Sequence, residues 1–373
     1  MPLQPKPFSL SIPEAAIADL KDRLARTRFP DEPPLEPWST GTSLSYLQQL
    51  TKYWGTEFDW RVWEAKLNAF PQYTVQLGGI DLHYIHASSK KPNAIPLLLS
   101  HGWPGSVFEF HKLIPLLTEH FTVVAPSLPG YGLSFKPGQK RFGAPEIADL
   151  FAELMTRLGY ERFAFQGGDW GASIGSVLGW KHPQRLVGLH LNLLMVPRDP
   201  KQPAATPEEQ RYTEELKHFL KEETGYQAIQ GTKPQTLAYG LTDSPAGLAA
   251  WIVEKFRAWT DNDGNPESAV SRDEMLANIS LYWFTGAIGS SFWPYYERLH
   301  GEWPVPRGRT VDVPTAYAAF PREILRPPRS LASRTYTNIQ RWTVMEKGGH
   351  FAALEQPKAV ARDVTDFFRG LRV

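Results

Sequence analysis

The chain of 373 residues contains no cysteine, so disulfides and thiolate zinc sites are excluded. It has almost no net charge: 40 Lys and Arg against 39 Asp and Glu leave +1, which gives no reason to expect nucleic acid or an anionic membrane as partner. Long hydrophobic runs are missing too, none approaching the roughly 20 residues that span a bilayer. The opening Met1-Pro-Leu-Gln-Pro-Lys-Pro7 lacks the basic-then-apolar order of a secretory signal. A cytoplasmic protein is expected, and no internal repeat is present. What the chain has in quantity is aromatic. Thirteen Trp and 20 Phe, in an otherwise ordinary globular composition, suggest aromatic-lined surfaces as well as core.

Residues 8–70 read as a helical preface. Ser11 and Glu14 have capping-box spacing, Pro13 suits a first turn, and Ile17, Leu20 and Leu24 form an apolar stripe. Helical spacing continues in Tyr46, Leu47, Leu50 and Trp54, and again in Trp60, Trp63 and Leu67, with Pro30 to Pro37 as a connector. Gly78-Gly79 between Tyr73–Leu77 and Ile80–His86 signals a hairpin. His83 and His86, three apart on a strand, face opposite sides and cannot chelate one metal.

From Pro96 the pattern alternates strand and helix. Strands are expected at Pro96–Ser100, Phe121–Ala125, Phe163–Gln166 and Leu186–Leu191, with helices at Ser106–Leu117 and Pro145–Leu158 and after Gly171. Such alternation implies a mostly parallel sheet with helices on both faces. It stops after Leu194. The next stretch opens polar and Pro-rich (Pro197 to Glu209), then turns helical behind Ser244-Pro245 and behind the capping box Ser271 and Glu274. Strands return at Val313–Phe320 and Ile339–Glu346, and Gln356–Leu371 closes as an amphipathic helix. The expected organisation is an α/β fold in three parts: a helical meander over 1–72, a core over 73–194 and 309–373, and a helical lid over 195–308.

Chemistry concentrates at strand ends, where ligands of such sheets bind. Gly167-Gly-Asp169-Trp170-Gly171 joins a buried strand to a small-residue helix, the elbow that exposes a nucleophile, here Asp in place of the commoner Ser. Asp169 alone could be an N-cap. Other loops argue otherwise. His101-Gly-Trp103-Pro-Gly105 follows a strand and can offer backbone N–H groups as an oxyanion hole, with the N–H of Trp170 as partner. Glu323 follows the next-to-last strand and His350 the last, so the order is nucleophile, acid, histidine. Asp312 and Glu346 lie before and inside strands, where they would aim away from this edge, and Ser173 lies within the elbow helix, not at its apex.

A carboxylate nucleophile points to saturated carbon, because attack at an acyl carbon would leave an anhydride. Aspartate needs no base at neutral pH, so His350 is free to activate the water that cleaves the alkyl ester, held and stabilised by Glu323. A halide leaving group needs only N–H donors, whereas an epoxide oxygen needs a proton, for which tyrosine is suited. Tyr212, Tyr226, Tyr239, Tyr282, Tyr295 and Tyr296 all fall in the lid, and periodicity does not choose among them.

These motifs, with Phe8-Ser-Leu, Arg28-Phe29-Pro30, Glu57-Phe58-Asp59-Trp60, Pro126-Ser-Leu-Pro-Gly-Tyr-Gly132, Asp243-Ser-Pro245, Tyr282-Trp283 and Gly348-Gly-His-Phe-Ala-Ala353, make the chain resemble the microsomal branch of the epoxide hydrolases, in the α/β-hydrolase superfamily. The resemblance covers nearly the whole chain. It implies an inserted lid whose donors are two tyrosines: Tyr226, in Gly225-Tyr226 before Thr232-Lys-Pro234, and Tyr295, two before Glu297, with Tyr296 adjacent. It places the acid on Glu323 and the base on His350, and implies an epoxide and water as reactants, a vicinal diol as product, and no metal or organic cofactor. Animal members carry an N-terminal membrane anchor. This chain starts at the preface, so a soluble form is the expectation, with the preface either contributing to a homodimer contact or packing only on its own chain. The aromatic composition leans towards bulky apolar epoxides. Two rivals stand beside this reading: a haloalkane dehalogenase using the same Asp169, His350 and Trp170, and a non-catalytic binder of hydrophobic ligands.

Overall fold

Leu97, Leu98 and Leu99 have no solvent exposure, because their strand lies in the middle of a sheet covered on both faces. The computed structural model describes residues 5–197 and 203–371; Met1 to Gln4 of the N-terminal reading and positions 198–202 of the Pro-rich stretch lie outside the described residues. Nine strands form one sheet: β1 (Lys6–Pro7), β2 (Gln72–Leu77), β3 (Ile80–Ala87), β4 (Ile95–Ser100), β5 (Phe121–Pro126), β6 (Phe163–Gly167), β7 (Leu186–Leu191), β8 (Thr315–Ala319) and β9 (Ile339–Val344). Their spatial order is β1-β2-β3-β5-β4-β6-β7-β8-β9. The first three strands pair antiparallel with each other and with β5, and every pairing from β5 to β9 is parallel. From β4 the chain crosses to β5 on one side and later to β6 on the other, so the sheet reverses direction between β4 and β6. A cleft opens at the strand carboxyl ends at such a point.

Register brings the motif loops together there. Ser100 pairs with Gly167, so the turns after β4 and β6 leave the sheet side by side. A parallel bridge between Arg322 and Gly349 does the same for the turns after β8 and β9. The fold is the α/β-hydrolase fold that the alternation anticipates.

Four local expectations are revised. The first helix is Glu14–Ala25 with Pro13 at its cap and no side-chain capping bond. Glu14 therefore occupies the first helical position, not the third, and cannot complete a capping box with Ser11; it pairs with Arg61. Ser106–Leu117 is not one helix but a 3-10 turn (Val107–Phe110) and a short helix (Leu113–Leu117). Pro115, inside the second of these, has no N–H for a bond to the carbonyl of His111, and the interruption falls at His111 and Lys112. The two-residue β1 was not anticipated. Between β7 and β8 the helices Pro207–Glu222, Gly225–Thr232, Pro234–Asp243 and Trp293–His300 accompany the two anticipated ones, Pro245–Trp259 and Arg272–Thr285.

The preface ties these inserted helices to the sheet. Its strand and helix Trp60–Asn68 meet the sheet edge, where Phe8 N–H bonds Gln72 O at 2.8 Å and Leu10 N–H bonds Asn68 at 2.8 Å. Its helix Leu44–Thr56 reaches the insertion: the buried Trp54 donates to Ser280 Oγ at 2.9 Å, Tyr53 to Asp273 at 2.8 Å and Thr42 to Ala250 O at 2.7 Å. Among the described residues no helix is long and apolar enough to cross a membrane.

Candidate active site

Asp169 begins the helix Asp169–Lys181 with φ of 48°, a left-handed conformation that a β-carbon resists. The turn holds because its neighbours lack side chains. A Cβ on Gly171 would fall 2.0 Å from Ser100 O, and one on Gly102 would fall 2.2 Å from Asp169 Oδ1. Those glycines let the two turns approach until the Trp103 N–H donates to Asp169 Oδ1 at 2.7 Å. Trp170 follows in the first helical turn, where N–H groups have no intrahelical partner. The inserted helix Arg272–Thr285 steadies the opposing turn: Tyr282 donates to Gly105 O at 2.6 Å and Asn278 to Pro104 O at 2.8 Å. His101 stays neutral, its pKa lowered to about 4 by burial, and its Nε2 accepts from Leu128 N–H at 3.1 Å.

On the other side His350 Nε2 stands 3.4 Å from Asp169 Oδ2, and its Nδ1 is 2.6 Å from Glu323 Oε1. Glu323 is buried and also accepts from the N–H of Ile324 at 2.7 Å. His350 is placed by the inserted helices too, since its N–H bonds Trp259 O at 2.8 Å. Burial opposes a charge on the imidazole, but the flanking Glu323 and Asp169 carboxylates outweigh it and hold its pKa well above the ordinary histidine value. Both neighbours thus favour the protonated form of the ring.

Above Asp169 lies a narrow cavity of about 70 Å³ whose walls include Tyr226, Gln227, Tyr295 and Arg298. Tyr226 stacks on Trp103 with ring centres 5.3 Å apart, Tyr295 meets Trp170 edge-on at 4.9 Å, and the two phenols are 5.7 Å apart. Burial raises the pKa of both, so both are protonated at neutral pH and can donate. Tyr296 is turned away, stacked against Trp293 and His300. Of the other tyrosines between β7 and β8, Tyr212 lines the same cavity, Tyr282 is committed to Gly105 and Tyr239 is exposed. Ser173 sits within the elbow helix with its hydroxyl buried and unpartnered, facing the same cavity. Asp312 bonds Thr337 and Glu346 is exposed, and neither lines this cavity. A larger cleft, about 530 Å³, holds none of the motif residues but shares Val196 and Tyr212 with the narrow cavity as wall residues.

Three side chains around the site escaped the sequence reading. Glu109 lines a second, polar pocket with Asp169, His350, Gln166 and Asn192; its volume of about 20 Å³ suits a single water. Burial there pushes the Glu109 carboxyl up to about 8. The available signal was an acid among Val107, Phe108 and Phe110, directly after the oxyanion turn. Gln227 donates to the Tyr226 hydroxyl at 2.8 Å, and Arg298 donates to Gln227 at 3.0 Å. Neither residue carries a sequence signal, because the second contact spans 71 positions.

Comparison with known proteins agrees with this geometry. Residues 5–110 match the family described as epoxide hydrolase N terminus, and residues 95–237 match the alpha/beta hydrolase fold. The chain is 37% identical to epoxide hydrolase 1 of Oryctolagus cuniculus over 405 residues, covering 97% of this chain and 88% of that protein. A Stigmatella aurantiaca protein that carries the epoxide hydrolase name provisionally is 48% identical, over 98% of this chain and 85% of its own length. The structure of Aspergillus niger epoxide hydrolase superposes with a TM-score of 0.89 at 31% identity, over 99% of this chain and 97% of that one. Juvenile hormone epoxide hydrolase of Bombyx mori gives 0.88 at 34%, over 98% and 94%. With its N-terminal region, its α/β-hydrolase core and relatives of this identity over nearly its full length, the chain belongs to the microsomal-type epoxide hydrolases.

Proposed function

We propose that the chain hydrolyses epoxides to vicinal diols in two covalent steps carried by Asp169, Tyr226, Tyr295, His350 and Glu323. The observation that carries the reading is that Tyr226, Tyr295 and Asp169 line one cavity, while Asp169 Oδ1 accepts the Trp103 N–H and Oδ2 lies 3.4 Å from His350 Nε2. In the first step Asp169 attacks an oxirane carbon. The C–O bond breaks, its electron pair goes to oxygen, and a proton from Tyr226, with Tyr295 as second hydrogen-bond donor, neutralises the alkoxide. An ester now replaces the Asp169 charge.

That loss of charge prepares the second step. His350 holds its proton partly because Asp169 is an anion beside it. Once Asp169 is esterified, one of the two opposing charges is gone, so the imidazolium becomes more acidic and releases a proton, which restores the phenol of Tyr226. Neutral His350, oriented by Glu323, then takes a proton from water in the small polar pocket while hydroxide adds to the ester carbon. The N–H groups of Trp103 and Trp170 serve the tetrahedral oxyanion. Collapse passes the remaining carboxyl proton to the departing alkoxide. The diol leaves, and the site returns to Asp169 carboxylate and His350 imidazolium.

In this reading 195–308 is a lid over the core of 73–194 and 309–373, and 1–72 braces it. Leu193, Leu194, Trp303, Ile324 and Leu325 give the cavity apolar walls, which supports an apolar epoxide. A cytoplasmic place and a homodimer belong to the same reading, open to fractionation and sedimentation. A direct assay sets a styrene-type epoxide against a chloroalkane of similar size. Diol formation without halide release is expected; halide release without diol would overturn the assignment in favour of a dehalogenase.

A further inference from the structure

The hydroxyl of Tyr226 does not stand alone. Gln227 Nε2 lies 2.8 Å from it, and the other end of the same carboxamide lies 3.0 Å from Arg298 Nη2. Carboxamide orientation is often ambiguous, but here chemistry decides it. A guanidinium can only donate, so the Gln227 oxygen must face Arg298 and the Gln227 amino group must face Tyr226. Tyr226 oxygen is therefore obliged to accept. Its own O–H is then free for a different partner, and it borders the cavity that also contains Asp169. Arg298 is itself held over the Trp170 ring at 5.2 Å and the Tyr295 ring at 5.9 Å, so the relay is anchored on two aromatics that line the cavity with Asp169.

We infer that Gln227 and Arg298 are positioning residues for ring opening, a relay that aims the Tyr226 proton at the epoxide oxygen and stabilises the phenolate left behind. This rests on Tyr226 being the proton donor of the reading above. When Tyr226 gives up its proton, negative charge builds on an oxygen already receiving an N–H from Gln227, and that N–H is polarised by the Arg298 cation on the far side of the amide. The interaction is stronger in the transition state than before it, which is the condition for raising a rate and not merely tightening binding. The relay acts on ring opening, whereas the ester is cleaved through His350, whose Nε2 lies 3.4 Å from Asp169 Oδ2.

Single-turnover kinetics test this, with Trp103 and Trp170 as fluorescent reporters of ester formation and decay on a styrene-type epoxide. Gln227→Leu removes the donor and is expected to slow ester formation roughly ten- to a hundredfold, the size of a hydrogen bond to a developing charge, with ester hydrolysis unchanged. Gln227→Glu keeps the shape and the Arg298 contact but presents only acceptors, so the Tyr226 proton turns towards it. That variant is expected to fall to the rate of Tyr226→Phe while remaining folded. In a Tyr226→Phe background neither change at 227 should have further effect. Wild-type ester formation in both Gln227 variants, with Tyr226→Phe impaired, would overturn the relay and leave the donor assignment standing. Wild-type ester formation in Tyr226→Phe would remove both. Equal slowing of both steps in Gln227→Leu would also overturn the relay, since it would mark a structural role.

Discussion

His350 Nε2 stands 3.4 Å from Asp169 Oδ2, so the proposed base of the second step is held by the charge of the proposed nucleophile of the first. The coupling has a sign. Asp169→Asn removes a neighbouring anion and a charge-assisted contact, both of which raise the His350 pKa, so that pKa should fall in the variant. Titrating the ring nitrogens by NMR in both proteins reads the shift directly. An unchanged or higher value would mean that Asp169 does not hold the proton, and the release step would fail.

Losing the base should strand the intermediate. His350→Gln leaves Asp169 and the tyrosines in place, so ester formation continues while its hydrolysis slows by roughly 10²–10⁴. Intact-mass measurement after mixing with epoxide should find one adduct per chain, on the peptide containing Asp169. A variant that turns over normally, or is never modified, would contradict the assignment.

The two lid phenols should act on ring opening and not on binding of the apolar body. Tyr226→Phe and Tyr295→Phe are each expected to slow ester formation by about 10²-fold or more, and the double variant to lose nearly all of it. Stopped-flow traces separate this from hydrolysis of ester already formed, which should proceed at the wild-type rate.

Trp54 is buried and bonds Ser280, which makes it a brace between the preface and the inserted helices. Trp54→Ala opens a cavity and leaves the Ser280 hydroxyl without this donor, a change expected to cost about 3–5 kcal/mol. Urea denaturation measures the loss, and limited proteolysis should cut first within the inserted helices. A variant as stable as wild type would show that the preface merely lies against the lid.

The readability of the sequence differed by feature, for physical reasons. Leu97 to Leu99 and Phe163 to Phe165 were legible as strands because a strand buried on both faces must be apolar throughout. Asp169 was legible because the elbow needs glycine two positions to either side, and a Cβ on Gly171, which would fall 2.0 Å from the Ser100 carbonyl oxygen, shows why. Glu323 and His350 were legible from their places after strands, although their 2.6 Å contact depends on a bridge between Arg322 and Gly349 that no local pattern encodes. The break at His111 and Lys112 is hidden in the sequence because apolar spacing continues through it. Tyr295 and Tyr296 were indistinguishable in sequence, and only the direction of the helix Trp293–His300 separates the buried ring from the one stacked on His300. Gln227 and Arg298 were invisible for a plainer reason: a polar side chain on a lid helix ordinarily meets water, and their meaning exists only in a contact across 71 positions.

The central claim is that an oxygen of Asp169, and not water directly, becomes the new oxygen of the diol. Single-turnover hydrolysis in heavy-oxygen water, with enzyme in excess over a styrene-type epoxide, tests it most directly. The account predicts unlabelled diol in that first turnover, label in the Asp169 carboxylate, and labelled diol only in later turnovers. Label in the diol of the first turnover, with none on Asp169, would contradict it.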